Sequence, residues 1–312
     1  MSKVTVVGAG NVGSNAARRV AEKNLADEVW MIDIVEGLPQ GLALDINHSA
    51  PVVGFDTLIQ GTNDYKDTAG SDVVVITAGL PRKPGMSRMD LLDTNAKIVT
   101  EVTENIVANS PDAVLIIVSN PLDEMTYLAS RVSNFPKERV MGMAGVLDSA
   151  RLRFFIAEKL NVSPQEVEAI TLGSHGDQMV ALPRHATVQG KPLPELADEK
   201  TLEDLFQRTR DAGAEIVGYL KKGSAFYAPG ASSAAMTNAI LGDTDEVMPV
   251  CAWTQGEYGI SDVYLGVPAK LGKGGVTEIV ELELNEDETQ KLKEAAEAIR
   301  TKCEELDSVR SG

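Results

Sequence analysis

The 312-residue sequence predicts an α/β protein in which a doubly wound parallel sheet is followed by an α+β domain. In the first half, short β-rich runs alternate with helical patterns, which is typical of βαβ units. In the second half this alternation is lost. Because the length exceeds that of a usual single domain, we expect two domains, residues 1–145 and 146–312. No repeat or long linker separates them, so the site is expected between packed lobes.

The predicted strands of the first half are short apolar runs: Val4–Val7, Glu28–Ile34, Val73–Ile76, Ala113–Val118 and Val140–Met143. In the second half we predict a helix over Thr201–Leu220 and strands at Val167–Leu172, His185–Val188 and Val276–Leu284. A last helix is predicted to begin at an Asn285 cap with Glu288 at its third position. The apolar face of that helix is formed by Leu292, Ala296, Ile299, Cys303 and Leu306.

Composition excludes several classes of protein. A formal net charge of -17 argues against nucleic acid or an anionic membrane as partner. No apolar run reaches the roughly 18 to 20 residues of a membrane span, and the N-terminus is expected to be a strand and not a signal peptide. Cys251 and Cys303 are too few for a disulfide framework or a cysteine metal site. We therefore expect a cytoplasmic protein without a bound metal.

A glycine motif, Gly8-Ala9-Gly10-Asn11-Val12-Gly13, follows the first predicted strand and opens a helix. In this context the pattern indicates a Rossmann-type dinucleotide site. The first glycine makes a tight turn, the second admits a pyrophosphate, and the third lets the helix pack on the strand. Asp33 lies 20 residues past Gly13, at the end of the second strand. A carboxylate there binds ribose hydroxyls and repels a 2′-phosphate, so NAD is predicted over NADP.

A candidate acid–base residue is His175, which stands between Gly173-Ser174 and Gly176 after an apolar strand. Histidine is the side chain whose ordinary pKa suits proton exchange near neutrality. The sequence has three histidines. His48 lies in a helical pattern and His185 in a predicted strand, so His175 is the candidate.

Asp148 and Arg151 are one turn apart at a predicted helix opening. A local salt bridge explains this spacing as well as a function does. In the functional interpretation Asp148 orients and charge-stabilises a histidine, and Arg151 grips a carboxylate. Asn120 ends a buried strand in a polar turn and would by itself be only a turn residue.

A cationic loop follows the predicted strand Val73–Ile76. Between Asp72 and Asp90 the sequence carries Arg82, Lys83 and Arg88 but no acid. Loops at strand ends of α/β proteins collect ligand contacts, so this loop favours an anionic ligand.

These motifs occur in the same order in the lactate/malate dehydrogenase family, and the sequence resembles the members of that family that oxidise malate. The resemblance implies an NAD-dependent, homo-oligomeric enzyme, dimer or tetramer, that interconverts (S)-malate and oxaloacetate in the tricarboxylic acid cycle. His175 is then the proton acceptor and Asp148 its partner. The dicarboxylate contacts are Arg82, Arg88, Asn120 and Arg151. The resemblance places Asn95, Val118, Ser119 and Asn120 beside the cofactor.

Three alternatives remain. For a lactate dehydrogenase, an apolar substrate tail would give a buried Arg82 guanidinium no partner. An NAD-dependent glycoside hydrolase needs a metal site, for which the sequence offers no cysteine or histidine cluster. A non-catalytic NAD sensor would keep the glycines but would not need His175, Asp148 and Arg151. The segment 224–232 receives no assigned contacts.

Overall fold

The computed structural model describes residues 1–80, 88–176 and 178–311. Its strands are β1 Lys3–Val7, β2 Glu28–Ile32, β3 Leu58–Thr62, β4 Val73–Ile76, β5 Val114–Ile117, β6 Val140–Gly142, β7 Val167–Glu168, β8 Thr171–Gly173, β9 Met179–Ala181, β10 Thr187–Val188, β11 Lys191–Pro192, β12 Glu246–Gln255, β13 Ser261–Gly272 and β14 Gly275–Ile279. Its helices are α1 Asn11–Glu22, α2 Leu38–Val53, α3 Arg88–Asn109, α4 Leu122–Ser133, α5 Gly145–Leu160, α6 Glu199–Leu220, α7 Tyr227–Leu241 and α8 Glu286–Ser311.

The first six strands form a parallel sheet in the order β3-β2-β1-β4-β5-β6. Residues of β4 and β5 are buried throughout, as expected for parallel strands covered by helices on both faces. The strand order reverses at β1, and ligands of open α/β sheets bind beyond the carboxyl ends of strands at such a switch point. The predicted doubly wound sheet is confirmed.

The sheet continues with antiparallel strands from the second half. β12 pairs with β6 where Cys251 faces Gly142, and β13, β8 and β9 follow. The β12–β13 hairpin was not predicted, because Pro249 and Pro268 lie inside its strands and face each other across it. Proline inside an apolar run argues against a strand. The α+β character of the second half is confirmed.

Three predicted strands differ from the structure. Of the predicted strand Val276–Leu284, only the part up to Ile279 is a strand, β14. The run Val167–Leu172 contains parts of two strands, of which β7 joins a small separate sheet with β10 and β11, whereas β8 joins the large one. His185 lies in a single 3-10 turn, Pro183–His185, and not in a strand. The cause is Pro183, whose fixed φ suits the first position of a helical turn.

The C-terminal helix begins as predicted. The Asn285 side chain accepts the backbone N–H of Glu288 at 2.8 Å, and the Glu288 carboxylate accepts that of Asn285 at 2.9 Å. The predicted apolar face is buried and packs against β13 and α4. One hydrophobic core contains residues of both halves, including Val6, Leu265 and Ile299, so the halves are packed together.

No helix within the described residues is long and apolar enough to cross a membrane.

Candidate active site

The glycine motif forms an open cradle at the carboxyl end of β1. A Cβ atom added to Gly13 would lie 1.8 Å from the Gly8 carbonyl oxygen, so α1 packs directly on the loop. A Cβ atom added to Gly10 would meet nothing within 4 Å. Gly10 is also the N-cap of α1 and provides no side-chain hydrogen bond to the first turn. The free N–H groups and the open approach at Gly10 fit a pyrophosphate.

Asp33 is fixed beside this cradle. One carboxylate oxygen accepts the N–H of Ala9 at 2.7 Å, and the other accepts the N–H of Val35 at 2.9 Å. The side chain is only partly buried, so its charge faces the space next to the glycine loop. This is the position from which a carboxylate binds ribose hydroxyls and repels a 2′-phosphate.

Asn95 ties the ends of two neighbouring strands together. Its Oδ1 accepts the N–H of Leu80 at 2.8 Å, and its Nδ2 donates to the carbonyls of Leu80 at 3.1 Å and Asn120 at 2.6 Å. The residue is buried within α3. Its carboxamide therefore holds the loop after β4 against the turn after β5.

That turn carries three other predicted site residues. Val118 continues β5 by donating its N–H to the Ile76 carbonyl at 2.9 Å, and it is buried. The Ser119 hydroxyl donates to the Ala78 carbonyl at 2.5 Å. Asn120 is exposed at the edge of the sheet. The turn is thus hydrogen-bonded to the segment after β4 at Ser119 and exposed to solvent at Asn120.

His175 lies in a turn after β8 that is flanked by two glycines with positive φ, Gly173 at 86° and Gly176 at 141°. Its Nδ1 lies 2.8 Å from Oδ2 of Asp148, which is buried in the first turn of α5. Because the carboxylate can only accept a hydrogen bond, Nδ1 is the nitrogen that bears the hydrogen of the neutral ring. Nε2 then carries the lone pair that can accept a proton.

Arg151 contacts the carboxylate oxygen of Asp148 that His175 does not contact. Its Nη1 lies 3.2 Å from Oδ1 of Asp148, so the local salt bridge and the histidine contact coexist. Its Nε is buried and has no hydrogen-bond partner among the described residues. A guanidinium has five N–H donors in a planar fork, so Arg151 retains donors for a carboxylate.

The electrostatics favour a protonated histidine. Burial lowers the pKa of His175, but the charge and hydrogen bond of Asp148, together with the charge of Asp123, outweigh burial and the opposing charge of Arg151. The pKa therefore lies above its ordinary value of 6.5. An imidazolium that forms during proton transfer is stabilised at this position.

Not every predicted residue lies in the described part of the chain. Arg82 is outside it, and so is the side chain of Arg88, although α3 begins at that residue. His48 is exposed on α2. Among the described residues, no cluster of His, Cys, Asp and Glu side chains could hold a metal ion.

Two features of the site were missed from sequence. Asp123, in the first turn of α4, accepts the backbone N–H of His175 at 3.2 Å. The sequence signal that could have indicated Asp123 is its position three residues after Asn120. The segment 224–232, to which the sequence assigns no contacts, contains the first turns of α7, which packs against α1. Part of the second half therefore supports α1, the helix that begins within the glycine motif.

Asp123 and Asp148 follow β5 and β6, so their contacts bring His175 to the sheet edge at which the glycine cradle opens. A dinucleotide cradle and a carboxylate-held histidine at one edge are characteristic of a nicotinamide-dependent dehydrogenase. Residues 2–142 match the family described as lactate/malate dehydrogenase, NAD binding domain. Residues 145–309 match lactate/malate dehydrogenase, alpha/beta C-terminal domain. The chain belongs to the lactate/malate dehydrogenase family, and the prediction of NAD is confirmed.

Individual relatives are similar to this chain over nearly its whole length. Malate dehydrogenase of Chloroherpeton thalassium is 53% identical over 98% of this chain and 99% of its own length. The structure of malate dehydrogenase from Salinibacter ruber is 51% identical with a TM-score of 0.95, and 99% of each chain is covered. Lactate dehydrogenase from Cryptosporidium parvum, complexed with lactic acid and the dinucleotide, is 41% identical with a TM-score of 0.94 over 98% of each chain.

Two alanine substitutions distinguish a glycine that leaves room for the cofactor from a glycine that is needed for packing. Gly10→Ala should leave the melting temperature unchanged but weaken NADH binding at least about tenfold, because its methyl group enters the open cradle. Gly13→Ala should cost roughly 1–3 kcal/mol of stability through overpacking against Gly8. Calorimetric melting and NADH fluorescence titration measure both. Undiminished NADH binding by Gly10→Ala would show that the cradle does not hold the cofactor.

Proposed function

We propose that this chain is a malate dehydrogenase that catalyses the reversible NAD-dependent oxidation of (S)-malate to oxaloacetate, with His175 as proton acceptor. The observation that carries this proposal is the shared carboxylate of Asp148, which contacts His175 at 2.8 Å and Arg151 at 3.2 Å. A proton acceptor and a carboxylate-binding cation thus stand side by side. A 2-hydroxy acid presents the complementary hydroxyl and carboxylate on adjacent carbon atoms.

In the oxidative direction, Nε2 of neutral His175 takes the hydroxyl proton, and Asp148 stabilises the imidazolium that results. Arg151 holds the substrate carboxylate through its remaining donors and thereby aligns the hydroxyl with the imidazole. Bound NAD supplies the hydride acceptor. In the reductive direction, protonated His175 returns its proton to the reacting oxygen.

Substrate choice depends on the second carboxylate of the dicarboxylate. We assign Arg82 chiefly to that group, Arg88 to it and to the reacting carbonyl, and Asn120 to the reacting oxygen. The exposed position of Asn120 supports its part. Similarity in fold does not separate malate from lactate, since relatives with both names share it. The cationic residues Arg82 and Arg88 favour malate, because pyruvate and lactate bring no distal charge for them to pair with.

We also propose residues 1–145 as the NAD-binding domain and 146–312 as the substrate domain. The change from parallel to antiparallel pairing after β6 supports this division. The open face of Gly8 to Gly13 and the fixed carboxylate of Asp33 support direct cofactor contacts. For Asn95 the hydrogen bonds favour a supporting part, in which it holds Val118 to Asn120 and the loop after β4 in place.

We propose a cytoplasmic enzyme of the tricarboxylic acid cycle. Cys251 and Cys303 are both buried and unpaired, which suits a reducing compartment. A net charge of -17 supports the absence of nucleic acid and anionic membrane from its partners.

The proposed activity is tested by NADH oxidation with oxaloacetate and pyruvate in parallel. We expect oxaloacetate to be strongly preferred. Arg82→Gln should lower kcat/KM for oxaloacetate by two to four decades, from the roughly 3–5 kcal/mol penalty of a buried carboxylate left unpaired. Pyruvate turnover should hold or rise. The matched control is Lys83→Gln, which removes a neighbouring cation and should change neither rate much. An unchanged oxaloacetate-to-pyruvate ratio in Arg82→Gln would refute the specificity assignment, and an inactive parent enzyme would refute the activity.

The raised pKa of His175 sets the pH dependence. Oxaloacetate reduction requires the protonated ring and should fall as pH rises through that pKa, whereas malate oxidation should fall as pH drops below it. Asp148→Asn should lower turnover by orders of magnitude, keep NADH binding and move both transitions to lower pH. The control is Asp93→Asn, which breaks an exposed pair with Lys97. Parallel pH profiles in the two directions would contradict the assigned role.

We propose a homo-oligomer, dimer or tetramer. The outer face of α2 exposes Leu44 and Val52, with relative exposures of 57% and 87%, and Val53 lies beside them. Such a face suits a symmetric contact with a second copy. Light scattering should give a mass at least twice 33.3 kDa across dilution. A monomer at every concentration would end this proposal.

A further inference from the structure

A second buried carboxylate, Asp123, contacts His175 through its main chain. The residue is 2% exposed, and its Oδ2 accepts the backbone N–H of His175 at 3.2 Å. Its Oδ1 is also buried and has no hydrogen-bond partner among the described residues. Burying a carboxylate is costly, and the donors that oppose this cost are the backbone N–H of His175 and the side chains of Ser174 and Cys251.

The neighbours of Asp123 show where its charge acts. Burial raises its pKa, and the Ser174 side chain and the charge of His175 oppose this rise. The adjacent Cys251 thiol is buried, and its pKa is raised by burial and by the charge of Asp123, so as a neutral donor it also opposes the rise at Asp123. Within the part of the chain that the structure describes, His175 is the cation whose charge lowers the pKa of Asp123.

The next residue provides a contrast. Glu124 is also buried, and burial followed by the charge of Asp123 raises its pKa. Its cation is Lys302, whose Nζ lies 3.6 Å from Oε1. Cys303 lies beside this pair and has its own pKa raised by burial and by the charge of Glu124. Two successive buried carboxylates on α4 therefore serve different cations.

The turn that carries His175 needs an external support. Gly173 and Gly176 both have positive φ, and glycine loses more conformational freedom on ordering than any other residue. Asp148 holds the imidazole ring but does not hold the backbone. The hydrogen bond from the His175 N–H to Asp123 fixes the backbone between the two glycines.

We propose that Asp123 is a positioning residue for His175, whose carboxylate fixes the backbone of the histidine turn and places a second negative charge beside the imidazole ring. This proposal rests on the proposed function, in which His175 transfers the proton. Among the described residues, the charged groups that act on the ring are Asp148 and Arg151 from α5 and Asp123 from α4. Both carboxylates raise the pKa of His175 and Arg151 lowers it, so neutralising Asp123 should lower it.

The direct test is an NMR titration of the histidine Cε1–H signals in the full-length enzyme with bound NADH. The chain has three histidines, and single His48→Gln and His185→Gln variants assign the signals. Asp123→Asn should lower the pKa of His175 by about half a unit to one unit. Glu124→Gln, the matched control, removes a buried carboxylate of the same helix and should leave that titration in place. Exposed His48 is the internal reference.

Kinetics separate positioning from general stability. Asp123→Asn should lower kcat for oxaloacetate reduction roughly tenfold with KM within about twofold, since it acts on proton transfer and not on binding. Asp123→Leu removes the acceptor for the His175 N–H as well as the charge, so its kcat should fall further than that of Asp123→Asn. Thermal melting identifies a variant that fails to fold. If Asp123→Leu does not fold, the kinetics and the histidine titration of Asp123→Asn decide the proposal.

A folded Asp123→Asn variant with an unshifted His175 titration, or an equal shift in Glu124→Gln, would overturn the proposal. Its failure is distinguishable from failure of the proposed function. An enzyme that reduced no dicarboxylate would refute the function, whereas the histidine titration does not depend on turnover.

Discussion

The buried carboxylate of Asp148 is the constraint around which the site is built. It is 3% exposed, and an ionised group in that position requires compensation from neighbouring donors. His175 and Arg151 supply it from two elements, the turn after β8 and the next turn of α5. The same contacts select the tautomer of the imidazole and hold the guanidinium where a substrate carboxylate can reach it. The contacts that compensate the buried charge therefore also fix the orientation of both side chains.

The topology of the sheet delivers these groups to one place. Parallel strands direct their carboxyl ends to a common edge, so the loops after β1, β2, β5 and β6 converge there. The β12–β13 hairpin then extends the sheet from β6 to β8 and sets the position of the histidine turn. A Cβ atom added to Gly266 of β13 would lie 2.2 Å from the Gly173 carbonyl, so hairpin and turn are in direct backbone contact.

The sequence predicted the elements whose signal is local. The glycine motif, Asp33 and the Asn285 cap follow from short-range geometry, and the structure contains each of them where predicted. The hairpin was missed because Pro249 and Pro268 interrupt its strands, and only cross-strand pairing makes them compatible with a sheet. Asp123 was missed because its contact with His175 joins residues that are 52 positions apart in the sequence. The contacts of Arg82 are still predictions from sequence.

The most direct measurement is a crystal structure of the enzyme with NADH and a non-reducible dicarboxylate analogue of oxaloacetate. The account predicts that one carboxylate of the analogue pairs with the guanidinium of Arg151 and that its 2-oxygen lies within hydrogen-bond distance of His175 Nε2. The His175–Asp148 contact should persist unchanged. A dicarboxylate bound away from Arg151, or an Nε2 atom turned from the 2-oxygen, would contradict it.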